Sequence, residues 1–292
     1  MSALLDPFSY EFFVKGLSAA VMAGALCGLL GVWITLRGMS YIGHGLSHAI
    51  FGGYAAAPLL GINVALGAGV WGLASALAIS SVVRRRRIGA DAAIGVITTA
   101  SFALGVALAT SLSNKGPGLD SLFGSILGVE RSDLLLLGLS LLVAVVVFTV
   151  RYRPLLFSTF DPEVAAVTGV NVPRMDALLM AVLSLSILST LTIIGVTLVA
   201  ATLVIPAVVA RMLTDSFGRM LWLATALGAV SGAVGMYLSY HLEIPSGTTI
   251  VLTNAAVFVV VLAVTGGRSL RKAAGLDDHP EDAGTRPSLA RA

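Results

Sequence analysis

The sequence predicts an all-α fold, a polytopic bundle of about nine membrane-spanning helices, and three observations carry that prediction. The 292-residue chain is 57% hydrophobic and only 11% charged, with a mean hydropathy of +0.95, a composition foreign to water-soluble domains. Long apolar runs recur from Phe12 to Thr265, which implies a transmembrane domain over residues 1–267 followed only by a tail, 268–292. The basic residues between those runs fall on alternate loops, as the excess of Lys and Arg on cytoplasmic loops requires.

Each crossing needs about 20 apolar residues at ~1.5 Å rise per residue. Nine segments qualify: 14–36, 40–60, 62–83, 90–112, 133–150, 177–194, 196–213, 220–240 and 248–265. Arg84, Arg85, Arg86 and Arg87 form the densest charge block. Taking their loop as cytoplasmic brings Arg37, Arg151, Arg153, Arg174, Arg211, Arg219, Arg268, Arg271 and Lys272 to the same side. Only Lys15, Lys115 and Arg131 then fall outside. The N-terminus is expected outside and the C-terminus in the cytoplasm, and the arginines read as orientation signals, not as a nucleic-acid surface. Asp6 and Glu11 replace a basic leader, and the first apolar run reaches Leu36, so no cleaved targeting segment is expected. The lone Cys27 lies within the first span, which leaves neither an intramolecular disulfide nor a thiolate cluster.

Along the first span, Ala20, Gly24 and Gly28 recur every four residues, a small-residue face suited to close helix packing in lipid. The second span carries His44 and His48, one turn apart and therefore on one helical face. Two imidazoles so placed can grip a metal ion, or simply bond to neighbouring backbone. Glycines 43, 45, 52 and 53 predict that other helices pass close to this one. After the fourth span, Leu119, Leu122, Phe123, Ile126 and Leu127 make the stripe of a short amphipathic helix at the outer surface, a docking rim or an interfacial plug.

The loop 151–176 contains its own helix signature. Asp161 is a good N-cap, Pro162 suits the first helical position, Glu163 favours the positive end of the dipole, and Gly169 suits the stop. The small residues between them, Ala165 and Ala166, offer a surface for another protein, though a capped loop helix can also be a mere connector. The sixth and seventh spans meet around Gly195 almost without a loop. Ser184, Ser186, Ser189, Thr190, Thr192, Thr197 and Thr202 bring hydroxyls there, and Pro206 removes a backbone hydrogen bond. Such hydroxyls line a polar path or bond back to their own helix. Residues 241–247 form a short external turn, and the polar tail beyond Arg268 is expected to be disordered in the cytoplasm.

Some chemistry is missing. No acidic residue occurs between Glu11 and Asp91, so the carboxylate that a proton-coupled carrier uses inside the membrane is not available. No Gly-x-x-x-x-Gly-Lys-Ser/Thr loop occurs either, so ATP-driven transport would require a separate ATPase.

Four stretches now acquire a common meaning: residues 36–53 with Ser47-His48, residues 89–95 (Gly-Ala-Asp-Ala-Ala-Ile-Gly), residues 122–127 (Leu-Phe-Gly-Ser-Ile-Leu), and residues 195–206 from Gly195 to Pro206. In this order and spacing, together with 161–169 and 238–247, the chain resembles the permease subunits of bacterial ABC importers for zinc and manganese, the ABC-3 family. The resemblance covers roughly residues 12 to 266. It implies a type II ABC importer permease-like fold, a permease homodimer in the bacterial plasma membrane, two cytoplasmic ABC ATPase subunits, and an extracellular or periplasmic metal-binding protein. It also implies that 161–169 is the helix seated in the ATPase, and that transported Zn2+ or Mn2+ is cargo, with no permanently bound cofactor. One departure stands out: many members carry an acidic residue four before the Ser-His histidine, where this chain has His44. A His-His face leans toward zinc. The alternatives are a permease for metal chelates such as siderophores or cobalamin, which needs a wider, aromatic-lined path, and a metal carrier working without ATP.

Overall fold

The structure, a computed structural model, describes residues 6–58, 61–84, 89–111, 129–196 and 198–273. A short 3-10 turn, Asp6–Ser9, leads into α1 (Glu11–Leu36), α2 (Ile42–Ala56), α3 (Val64–Arg84), α4 (Ala90–Ser111), α5 (Arg131–Val150), α6 (Tyr152–Phe160), α7 (Pro162–Val167), α8 (Val172–Ile194), α9 (Val199–Leu213), α10 (Phe217–Leu242) and α11 (Ser246–Ala273). No strand occurs among the described residues. The nine expected crossings correspond to α1–α5 and α8–α11, of which six are long and apolar enough to cross a membrane among the described residues. Two of the others, α2 and α9, have 15 residues each. At ~1.5 Å per residue that is about 22 Å, short of the ~30 Å hydrocarbon layer.

The centre of the bundle is α1, because its small residues let α10 lie directly against it. A Cβ placed on Gly24 would fall on the Gly228 carbonyl, one on Gly28 on the Ala224 carbonyl, and one on Gly232 of α10 on the Ala20 carbonyl. The predicted Ala20-Gly24-Gly28 face is thus half of a seam whose other half is Ala224, Gly228 and Gly232. At the end of α1, Trp33 stacks on Phe148 of α5 at 5.2 Å and meets Phe217 of α10 edge-on at 4.8 Å. At the start of α1, Phe13 packs edge-on against Tyr240 of α10 at 5.4 Å.

The loop after α5 carries two helices where one was expected. Residues 152–160 form α6, seated by Leu155 and Ser158, which are buried one turn apart. The ends of α1, α3 and α6 and the starts of α4, α7 and α8 gather around one cavity of about 550 Å³. At the opposite end, Asn63 and Val64 face Asp133, Leu188 and Leu191. Both groupings match the alternation of sides read from the loop charges. The segment 119–127 and Arg85 to Arg87 lie outside the described residues, while α11 continues helically to Ala273, past residue 267.

Candidate functional site

The site is built on α2, which the bundle wraps almost completely. Of its fifteen residues only His44, His48 and Tyr54 are not buried. Its glycines explain the wrapping. A Cβ on Gly45 would come within 2.7 Å of Ile94 and Thr98 of α4, one on Gly52 within 2.5 Å of the Ser101 carbonyl, and one on Gly53 against Trp71 of α3. Gly43 faces Ala200 and Leu203 of α9 at ordinary contact distance. Three helices therefore cover three sides of α2. Tyr54 lines a cavity with Leu188 and Leu191, and the strip that the described residues leave only partly buried is the one bearing the two histidines.

The imidazoles of His44 and His48 lie with ring centroids 4.5 Å apart and planes at 75°. Tyr41 stands beside His44 at 5.3 Å, and Phe102 of α4 beside His48 at 4.8 Å. Nδ1 of His48 is buried without a hydrogen-bond partner. A buried polar nitrogen normally finds a partner, and this one makes no bond to neighbouring backbone. No third His, Cys, Asp or Glu joins the pair among the described residues. Within one chain the histidines thus offer two nitrogen donors, fewer than the four that a closed zinc site takes.

Ser47, between the histidines, has a different task. Its Oγ is buried, 2.8 Å from the carbonyl of Val196 and 2.8 Å from that of His44. Val196 belongs to the interruption between α8 and α9. Gly195 ends α8 with φ 93° and ψ 152°, a conformation that costs a side-chain-bearing residue dearly. Non-helical backbone inside a membrane protein must be satisfied by its neighbours, and Ser47 does this for Val196.

The hydroxyls expected along a path are engaged within their own helices. Ser189 is buried and donates to the Ser186 carbonyl at 2.9 Å, and Thr202 donates to that of Leu198 at 3.2 Å. Pro206 is buried within α9, whose helix continues through it. Thr197 and the side chain of Thr192 lie outside the described residues.

The loop helix forms as its signature predicts. Asp161 accepts from the Val164 amide at 2.9 Å, Pro162 takes the first position, and Glu163 follows in the first turn. Gly169, at φ 84°, turns the chain so that its amide reaches Ala166 and that of Val170 reaches Ala165. Only Ala165 is buried. Val167 is 90% exposed, so the helix presents an apolar surface outward. Sequence reasoning passed over Arg37, which it took for an orientation signal alone. The structure pairs it with Asp176 at 2.6 Å, a partner 139 residues away that no local signal could indicate.

The family model described as the ABC 3 transport family matches residues 9–265. The manganese transport system membrane protein MntC of Halalkalibacterium halodurans is 40% identical over 258 residues, covering 86% of this chain and 87% of that protein. The chelated iron transport system membrane protein YfeC of Yersinia pestis is 36% identical over 260 residues, covering 89% and 88%. Among solved structures, PsaBC from Streptococcus pneumoniae in complex with Fab superposes with a TM-score of 0.82 at 28% identity, covering 94% of this chain and 99% of that one.

Proposed function

The chain belongs to the ABC 3 transport family, and from that premise we propose that it is the membrane-spanning permease of an ATP-driven importer carrying a divalent transition metal into the bacterial cytoplasm. It is itself no enzyme: hydrolysis belongs to a separate ABC ATPase docked on α7, and an extracellular or periplasmic metal-binding protein supplies the ion. The N-terminus lies outside and the tail in the cytoplasm. The observation that carries this reading is the histidine pair on the strip of α2 that the described residues leave partly exposed, with a ring nitrogen of His48 left unpaired.

Two donors make a weak site, which suits a path, since an ion held too tightly does not leave. A second copy of the permease, facing the same strip, supplies the remaining ligands in a homodimer. Four imidazoles suit zinc, which prefers nitrogen and accepts tetrahedral geometry. Manganese is the second reading, favoured by the names of relatives such as MntC and MntB, although manganese prefers oxygen donors.

Uptake of Zn2+ and Mn2+, each alone, into proteoliposomes holding permease, ATPase and binding protein tests the proposal. His48→Ala should abolish uptake of the physiological metal while assembly and basal ATP hydrolysis persist. His44→Asp should move preference from zinc toward manganese. Wild-type uptake of both metals by the His44→Ala, His48→Ala double variant would remove the pair from the path.

A further inference from the structure

Arg37 follows directly on α1 and spreads its guanidinium over three partners. Nη1 donates to Oδ1 of Asp176 at 2.6 Å, Nε to Oγ1 of Thr159 at 3.0 Å, and Nη2 to Oγ of Ser158 at 3.0 Å. The Arg37 side chain is only 8% exposed and that of Asp176 18%. Each hydroxyl in turn donates to the Leu155 carbonyl, Ser158 at 2.9 Å and Thr159 at 2.7 Å. Both acceptors are therefore already oriented when the guanidinium meets them. A planar fork with five donors can hold three such partners at once, whereas a lysine ammonium on a flexible stem behaves as a point charge.

The partners bracket α7. Ser158 and Thr159 lie in the last turn of α6, just before the cap Asp161, and Asp176 lies near the start of α8, just after the turn at Gly169. Between these points α7 has little hold of its own: Ala165 is its one buried residue, and a cavity of about 550 Å³ lies beneath Pro162, Glu163 and Ala166. Displacement of α7 therefore reaches the bundle mainly through its two ends. Both ends converge on Arg37, five residues before Ile42, where the histidine helix begins.

We propose that Arg37 is a positioning residue for transport, a clamp that fastens both ends of the α7 loop to the end of α1, where the turn into α2 begins, so that movement of α7 is passed through that turn to His44 and His48. The proposal rests on the reading of α7 as the ATPase-docking helix. Without the clamp, α7 shifts in its cavity while α2 stays still, and ATP is hydrolysed without metal moving.

The test uses the full complex of permease, ATPase and binding protein in proteoliposomes, with Zn2+ and Mn2+ each supplied alone as probe. Arg37→Lys keeps a cation beside Asp176 but cannot also span both hydroxyls. It should assemble and hydrolyse ATP at the basal rate, yet move at least fivefold less metal per ATP. Arg37→Gln with Asp176→Asn removes both charges together, so that no carboxylate is stranded, and should lose coupling to the same extent. A wild-type ratio of metal to ATP in both variants would overturn the clamp. Failure of both to assemble would also overturn it, by showing that the network only holds the fold. Ala166→Arg, run in parallel, should release the ATPase. If the ATPase stays bound to that variant, the docking reading of α7 falls and the clamp with it; if it is released while Arg37→Lys couples normally, the clamp alone falls.

Discussion

Ser47→Ala removes one hydroxyl from the contact between the histidine helix and the break at Gly195, and leaves everything else in place. The side chain is fully buried, and its Oγ lies 2.8 Å from the Val196 carbonyl. A hydroxyl has one proton to donate. Its other neighbour, the His44 carbonyl, lies in the regular ladder of α2, so the loss falls on Val196, which stands outside any helix. Leaving a buried acceptor unpaired costs about 1–3 kcal/mol, but side-chain bonds between membrane helices average ~0.6 and reach ~1.7 kcal/mol. The expected destabilisation is therefore about 1 kcal/mol, or a fall of roughly 2–4 °C in Tm for a chain of this size class. Heating the detergent-purified protein in steps and measuring the folded fraction by gel filtration reads this directly. Ser18→Ala is the control, because that hydroxyl is exposed and bonds only its own helix. Metal uptake should fall severalfold as well, since Ser47 holds the turn from which His48 projects. A Tm and an uptake rate both equal to those of Ser18→Ala would refute the argument that Ser47 anchors the break.

Three further outcomes are expected. Gly28→Leu puts a Cβ on the Ala224 carbonyl, which no rotamer relieves; a loss of about 3 kcal/mol or more should leave little monodisperse protein, and wild-type behaviour would contradict the α1–α10 seam. Asp161→Ala removes the cap on the Val164 amide at a cost of about 1 kcal/mol to α7 alone. It should weaken co-purification of the ATPase without lowering Tm, and Asp161→Ser should restore it; equal ATPase recovery from all three proteins would count against the docking role. A cysteine at Arg86, in a Cys27→Ala background, should react only with membrane-permeant reagents, and labelling from outside sealed cells would invert the topology.

Much of the site was legible because its signals are local. That His44 and His48 share a face follows from 3.6 residues per turn, and the boundaries of α7 follow from Asp161, Pro162 and Gly169 within nine residues. Other features were not. The hydroxyls of Ser189 and Thr202 left two readings open until their bonds to Ser186 and Leu198 were visible. The helix Tyr152–Phe160 escaped because its inward positions, Leu155 and Ser158, are buried only through contact with the rest of the bundle.

The sequence by itself determined the helices of the bundle, the alternation of sides, the small-residue face of α1 and the pairing of two imidazoles. Each of these depends on hydropathy, charge or spacing within one or two turns, where backbone geometry alone decides what lies beside what. Only the tertiary structure decided that Gly24 and Gly28 meet α10, that α3, α4 and α9 pack on the glycines of α2 and leave the histidines partly exposed among the described residues, and that Arg37 gathers Ser158, Thr159 and Asp176. In a bilayer one apolar helix face is as content against lipid as against another helix. Partners are therefore chosen by close packing and by the pairing of scarce polar groups, and both depend on the whole bundle at once.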